Sequence, residues 1–422
     1  MNYTLMSKQD LENRLELLMS RYEDFKNQNL KLNMARGKPG DEQLALSDGI
    51  LTVLSDDEPM CGVDKFDARN YGLPTGMTEL KEIFASLLGV DAKNVIIGGS
   101  SSLNMMFDYI SQCMTHGVCG NDPWFGKKVK FLCPVPGYDR HFGILEHFGI
   151  EMILVEMNEN GPDMDKIEEL VKDESVKGMF CVPKYSNPTG ITFSDETVQR
   201  IAKLSPAAKD FRIIWDNAYC IHDVTDTPDT LLEIFSECRK YGTEDMIIEV
   251  ASFAKITYAG ACVSALVASE NNLKQIEKRM FFQIINHDKV NQLRHVRYFK
   301  DADGVLSHMQ KHKELLAPKF SIVLNSLKDN LSDKGIASWT NPNGGYFVSL
   351  DVPEGCAKRV VSLCKEAGLV LTGAGATYPY GNDPFDRNIR IAPTFPSTDE
   401  LAEAMKVLCV CVEIASIEKL LK

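Results

Sequence analysis

Between residues 78 and 270 short apolar runs alternate with longer stretches whose apolar positions recur every three or four residues. The second pattern is that of a helix with one buried face. It predicts helices over 78–88 and 101–114. The short runs 95–97, 129–132, 152–155, 178–182, 212–215 and 246–251 are apolar and bounded by Gly, Pro or Asp. Such runs suit strands covered on both faces, as in a parallel sheet. Residues 7–25 place Leu11, Leu15, Leu18 and Tyr22 on one helical face. Past residue 300 the texture changes: a long helix over 308–327, strands over 345–350, 369–372 and 388–391, and a closing helix over 401–421.

Strand and helix in alternation predict an α/β fold, a large domain with a mostly parallel sheet flanked by helices. A smaller α+β domain is expected after it. The boundaries read as 1–55 for an N-terminal segment contributing to the small domain, 56–300 for the large domain and 301–422 for the small C-terminal domain. A length of 422 residues allows two to three domains at about 150 residues each. With 44% hydrophobic and 25% charged residues the composition is that of an ordinary globular protein. It excludes a disordered chain, a collagen and a coiled-coil rod.

Forty-six basic residues against 59 acidic ones leave a net charge of −13. That excess repels phosphate backbones, and no basic stripe offsets it, so no nucleic-acid partner is expected. No apolar run approaches the length of a membrane span. The 12 cysteines include no C-x-x-C and sit largely in apolar runs. They read as small buried hydrophobes in a reducing compartment. With no secretory leader legible, the expected location is the cytoplasm.

In open parallel sheets, ligands bind beyond the carboxyl ends of the strands. The residues just after each predicted strand are therefore the candidates. Gly98-Gly99-Ser100-Ser101-Ser102 precedes a helix and offers amides and hydroxyls to an anion, or simply caps the helix. Pro136-Gly137-Tyr138 presents a ring that could stack on a flat ligand or fill a core. Ser186-Asn187-Pro188-Thr189-Gly190 holds an amide in a rigid turn. Asp216-Asn217-Ala218-Tyr219 ends an apolar strand with a carboxylate, which is costly to bury without a cation. Ser252-Phe253-Ala254-Lys255 ends another with a partly desolvated amine, a candidate nucleophile.

That order resembles the class I aminotransferases, fold-type I enzymes that use pyridoxal 5′-phosphate (PLP). The resemblance spans about residues 36–395 and also takes in NYGLPTG from Asn70, NGGYF from Asn343 and RIAPTF from Arg390. Asn187 and Asp216 are 29 residues apart, Asp216 and Lys255 are 39 apart, and Lys255 and Arg390 are 135 apart, as the family requires. The resemblance implies that Lys255 carries PLP and shuttles the substrate proton. Asp216 would pair with the ring nitrogen, Asn187 and Tyr219 would bind the ring's phenolic oxygen, and Tyr138 would stack on its face. Ser100, Ser101 and Ser252 would bind the phosphate, with Tyr71 reaching it from a second subunit of a homodimer. Arg390 would grip the substrate α-carboxylate. Asn187 and Gly37 would also approach the substrate. No metal is implied.

The family's usual phosphate arginine, eight residues past the lysine, is Val263 here. Lys289, Arg294 and Arg297 are candidate replacements. The segments RGKPG, CPVPGYDRHF, KITYAGA and DKVNQLRHVR resemble a divergent branch of aspartate aminotransferases. That resemblance implies aspartate and 2-oxoglutarate as the substrate pair. A dicarboxylate needs a second cation, for which Arg36, Lys38 and Lys289 are candidates.

Alternatives are a PLP transaminase of other specificity, an amino-acid lyase or decarboxylase, or a ligand-sensing regulator without activity. The segment GNDPWFGK from Gly120 has five residues between its glycines instead of the four of a phosphate loop. His308 and His312 share a helical face but lack the metalloprotease Glu, and read as a solvated surface.

Overall fold

The computed structural model describes residues 2–55 and 59–422. Its strands are β1 (Leu32–Asn33), β2 (Val95–Gly98), β3 (Lys130–Val135), β4 (Glu151–Asn158), β5 (Gly161–Pro162), β6 (Val176–Cys181), β7 (Arg212–Asp216), β8 (Ile247–Ser252), β9 (Ser264–Ala268), β10 (Ser338–Trp339), β11 (Val348–Asp351), β12 (Leu369–Val370) and β13 (Asn388–Ile391). Its α-helices are α1 (Lys8–Asn27), α2 (Asp41–Ala45), α3 (Thr78–Leu88), α4 (Ser102–His116), α5 (Asp139–His147), α6 (Met164–Leu170), α7 (Asp195–Ala202), α8 (Ile234–Arg239), α9 (Glu270–Gln283), α10 (Lys289–Phe299), α11 (Ala302–Leu331), α12 (Ala357–Glu366) and α13 (Thr398–Leu420).

Eight strands form one sheet in the order β2-β9-β8-β7-β6-β3-β4-β5. The ladders from β8 through β7, β6 and β3 to β4 are parallel. β9 is antiparallel to both of its neighbours, β2 and β8. β2 and β8 therefore run the same way, and the carboxyl ends of β2, β3, β6, β7 and β8 share one edge. The sequence pattern does not announce β9. Five residues, all buried, show no alternation and are too few to separate strand from helix.

Successive residues of a strand face opposite sides, and two apolar cores follow from that. Ile97, Leu132, Ile213 and Val267 belong to one core, with Phe84 of α3 and Phe299 of α10. Their neighbours Ile96, Phe131, Ile214 and Leu266 belong to the other, with Ile110 of α4 and Leu145 of α5. This double burial explains why the strands read as unbroken apolar runs.

A third core joins the two ends of the chain. Leu11, Leu18 and Tyr22 of α1 pack with Val323 and Leu327 of α11, Leu350 of β11 and the inner face of α13. Within it Glu413 is buried among three donors: the Tyr3 hydroxyl, Arg14 at 2.8 Å and Lys334 at 2.9 Å. Burial by itself would raise the Glu413 pKa. The bonds from these partners outweigh that and hold it below the usual carboxylate value. The domain boundary expected at 55/56 falls at residues 56–58, which lie outside the described residues.

Two expectations about helices need correction. His308 and His312 are 4% and 1% exposed, not solvated. They lie where α11 crosses the loop after β8, so that face of the helix is covered. The long helix, with Pro318 inside it as the expected bounds already implied, extends beyond them to Ala302–Leu331.

Glu249 on β8 is buried and accepts from Asn217 Nδ2 at 2.8 Å. Burial pushes its pKa up from 4.5 to about 8. A carboxyl raised in this way ionises later in the folded chain than in the unfolded one. Stability therefore falls as pH rises from 4.5 and the loss levels off above about 8. Glu249→Gln keeps the acceptor and removes the charge. It is expected to unfold a few degrees above the parent at pH 8, with the gap closing toward pH 4.5, in calorimetric scans across that range.

Candidate active site

The shared sheet edge opens on a cavity of about 260 Å³. Each crossover delivers one group to it: Ser101 after β2, Tyr138 after β3, Asn187 after β6, Asp216 and Tyr219 after β7, Ser252 and Lys255 after β8. The far wall comes from outside the sheet and carries Arg36, Gly37, Phe347 and Arg390. A larger cavity of about 870 Å³ is lined by Glu156, Asp195, Asp229 and Asp351 and lacks an equivalent nucleophile. Chemistry, not volume, selects the smaller one.

Lys255 sits on a tight turn pinned from below. Phe253 is 1% exposed, stacks on Phe84 at 4.5 Å and accepts at its carbonyl from the amides of Ile256 and Thr257 at 2.9 Å. The ammonium hangs 4.7 Å from the Tyr219 ring centre and makes no hydrogen bond or ion pair among the described residues. It is free to react.

Asp216 is 3% exposed. Its Oδ2 lies 3.0 Å from His141 Nε2, while its Oδ1 is buried with no hydrogen-bond partner. A buried carboxylate oxygen without a donor is costly. It marks the place where a ligand's N–H would sit. The His141 ring is itself fixed, stacked on Phe180 at 4.6 Å and met edge-on by Tyr138 at 5.0 Å. Burial, then the nearby charge of Asp216, raise the Tyr219 pKa, so its hydroxyl keeps its proton as a donor. Burial pushes Tyr138 up to about 12.

Arg390 on β13 is 6% exposed. It donates to Asp139 at 3.1 Å, Asn187 Oδ1 at 3.2 Å and Thr372 at 3.3 Å, and its Nε has no partner. Its fork is thus oriented, with donor capacity to spare for a carboxylate. Gly37 lies against Phe347, where an added Cβ would stand 2.5 Å from the ring. Any side chain there would push into the ring that carries Arg390, whose guanidinium centre is 4.9 Å from it.

Of the sequence candidates, Tyr71 lies outside the cavity and is 71% exposed. Ser100 turns outward, and its carbonyl accepts from Cys262 Sγ at 2.8 Å. Lys289 does not line the cavity. Its ammonium is bound to the carbonyls of Asn70 and Gly72, at 2.5 and 2.8 Å. Lys38 lies over the Phe395 ring at 3.8 Å. Arg297 donates to the Pro59 carbonyl, and Arg294 does not line the cavity. Val263 is buried at 1% exposure. The sequence reading missed His141 and Arg140. Both follow Tyr138 within one helical turn, the signal that could have found them.

These groups fit PLP. Asp216 Oδ1 lacks the partner that a protonated ring nitrogen would be. Asn187 and Tyr219 offer side-chain donors. Helix α4 starts behind Ser101 with no side-chain cap, which leaves its first amides for a phosphate.

The model of the aspartate amino-transferase family matches residues 6–422. The chain is similar to the aspartate aminotransferase of Corynebacterium glutamicum, with 46% identity over 407 residues covering 96% of this chain and 94% of that one. Its fold is similar to the crystal structure of an aspartate transaminase from Corynebacterium glutamicum, with a TM-score of 0.97, 44% identity and coverage of 100% and 99%. An α-aminoadipate aminotransferase from Thermus thermophilus shares the fold at a TM-score of 0.75 and 19% identity, with coverage of 92% and 93%.

The unpartnered Asp216 oxygen has a measurable consequence. Asp216→Asn should raise the unfolding temperature of the ligand-free protein by about 1–3 °C, because the site is built for a ligand at some cost to the fold. A lowered temperature in calorimetry would count against that reading.

Proposed function

This chain belongs to the aspartate amino-transferase family, and we propose that it moves the amino group of L-aspartate to 2-oxoglutarate in two half-reactions. It is a PLP-dependent aminotransferase of fold type I. The observation that carries the reading is the unpartnered Lys255 amine, in one cavity with a carboxylate that has an unsatisfied oxygen, Asp216, and with the spare donor of Arg390. When bound, the cofactor supplies an electron sink for the charge left on Cα.

The chain's own groups do the rest. Asp216, steadied by His141, holds a proton on the ring nitrogen. Asn187 and Tyr219 bind the phenolic oxygen and Tyr138 covers one face. Arg390 orients the substrate by its α-carboxylate, with Gly37 giving close backbone approach. The Lys255 amine would hold the cofactor and, when free, would serve as the base that takes the proton from Cα of the substrate. Ser101 and Ser252, which line the cavity, would bind the phosphate with the first amides of α4, in place of the arginine absent at Val263, while Ser100 turns away from it.

Two features support a dicarboxylate. Arg36 and Arg140 line the cavity and are exposed, and their guanidinium groups make no hydrogen bond or ion pair among the described residues. Free guanidinium groups at the mouth suit a second carboxylate. We further read the protein as a homodimer, with Tyr71 reaching the neighbour's phosphate. The exposure of Tyr71, Phe281 and Phe282 at 71%, 79% and 80% supports that reading. Residues 1–55 and 301–422 read as one smaller body, which the core they share supports. No described helix is long and apolar enough to cross a membrane. Twelve unpaired cysteines support a cytoplasmic location.

The test is the visible spectrum of the purified protein, before and after L-aspartate without a keto acid. A yellow band that bleaches supports the donor half-reaction. A band that answers only to another amino acid discards aspartate. Arg140→Ala should raise KM for aspartate and 2-oxoglutarate about tenfold or more while leaving alanine turnover in place. Equal losses for alanine would remove Arg140 from substrate selection.

A further inference from the structure

Behind the Lys255 turn lies a buried polar chain that the reaction above does not use. Gln43 of α2, Ser47, His308 and His312 of α11, and Tyr346 are all at most 4% exposed. The Gln43 amide nitrogen lies 2.9 Å from the Tyr346 hydroxyl and 3.1 Å from His312 Nδ1. The Tyr346 hydroxyl donates to the carbonyl of Lys255 at 3.3 Å. His308 Nε2 and His312 Nε2 each lie 3.0 Å from the carbonyl of Ile256, and the Ser47 hydroxyl lies 3.3 Å from the same oxygen.

Donor counting fixes the tautomer of His312. Gly40 N–H donates to Gln43 Oε1 at 3.3 Å, which fixes the amide's orientation. The two amide protons then point at Tyr346 and at His312 Nδ1. His312 Nδ1 must accept, so a neutral His312 carries its proton on Nε2 and gives it to Ile256. His308 Nε2 lies 3.0 Å from the same oxygen and 3.2 Å from both His312 Nε2 and Ser47 Oγ, so it either donates to that carbonyl or accepts from one of those two groups. Burial, with His308 as a second cause, brings the His312 pKa down to about 4, and burial lowers that of His308 as well. Both rings therefore stay in the neutral form that the count requires. The chain ends on the main-chain carbonyls of the reactive lysine and of the residue after it.

We infer that Gln43, His308, His312 and Tyr346 form one positioning unit that holds the backbone of Lys255 from behind and ties the seating of α2 and α11 to the placement of the reactive amine. The inference rests on the reading of Lys255 as the catalytic residue. The side chain of Lys255 has no bond of its own, so its aim depends on its main chain. Tyr346 on the first carbonyl and His312, His308 and Ser47 around the second supply that aim. A fraction of an ångström of drift there would be felt at Cα of the substrate.

The test uses Tyr346→Phe, which removes one hydroxyl at nearly constant volume, and Gln43→Met, which removes the donor at the centre of the chain. Hydrogen–deuterium exchange on the PLP-free protein is expected to show the amides of residues 255–258 exchanging about tenfold faster in both variants. On the loaded enzyme kcat should fall about tenfold, with KM changed less than about twofold. The double variant should lose no more than the worse single one, since both act through one chain. Wild-type exchange over 255–258, unchanged kcat, or losses that multiply in the double variant would each overturn the unit. Should Gln43→Met fail to fold, exchange and kcat of Tyr346→Phe decide alone. Lys255→Ala separates the two levels: activity retained there would overturn the catalytic reading itself, while the exchange result still judges the positioning unit.

Discussion

The architecture turns on one buried carboxylate. Asp216 ends β7 in the middle of a sheet covered on both faces, where an unpaired charge is poorly tolerated. The protein meets only half of the requirement. His141, brought by α5 and locked between Phe180 and Tyr138, takes one oxygen, and the other is left for the ligand. A fully satisfied carboxylate would stabilise the fold and have nothing to offer a cofactor. The incomplete hydrogen bonding is what makes this place a site.

Around that carboxylate the fold divides the labour. Parallel strands and the reversed β9 bring five carboxyl ends to one edge, so groups far apart in the chain meet without any loop having to travel far. The rigid edge supplies the groups assigned to the cofactor. The wall that carries Arg36, Gly37, Phe347 and Arg390 supplies those assigned to the substrate. Chemistry common to the fold thus stays on the sheet. The wall proposed for the substrate is built from both ends of the chain, held together by the core around Leu18 and α13 and by the bonds to Glu413.

Reactivity and restraint also fall to different residues. The Lys255 side chain makes no hydrogen bond or ion pair among the described residues, which suits the role proposed for it. Its main chain is the reverse, gripped through the carbonyls of Lys255 and Ile256 and through Phe253 beneath. A loose nucleophile on a tight backbone keeps freedom where the chemistry needs it and removes it elsewhere.

The sequence alone determined the α/β class, most of the central strands and the order of the groups at their ends. Apolar runs and the turns that follow them are local features, and strand direction turns them into a site. Lys255, Asp216 and Asn187 were legible for that reason, and Arg390 only through the family resemblance, since it lies within β13 of the smaller sheet. Strand β9 was not, because a short buried strand has no periodicity of its own. His308 and His312 read as solvated because spacing shows which residues share a helix face but not what covers it. Only the tertiary structure decided that α11 buries them against the Lys255 turn, that His141 meets Asp216 and that Arg140 reaches the cavity mouth. It also decided that Lys289 spends its charge on backbone carbonyls. Each of these depends on contacts between segments distant in the chain, which no local pattern of polar and apolar residues encodes.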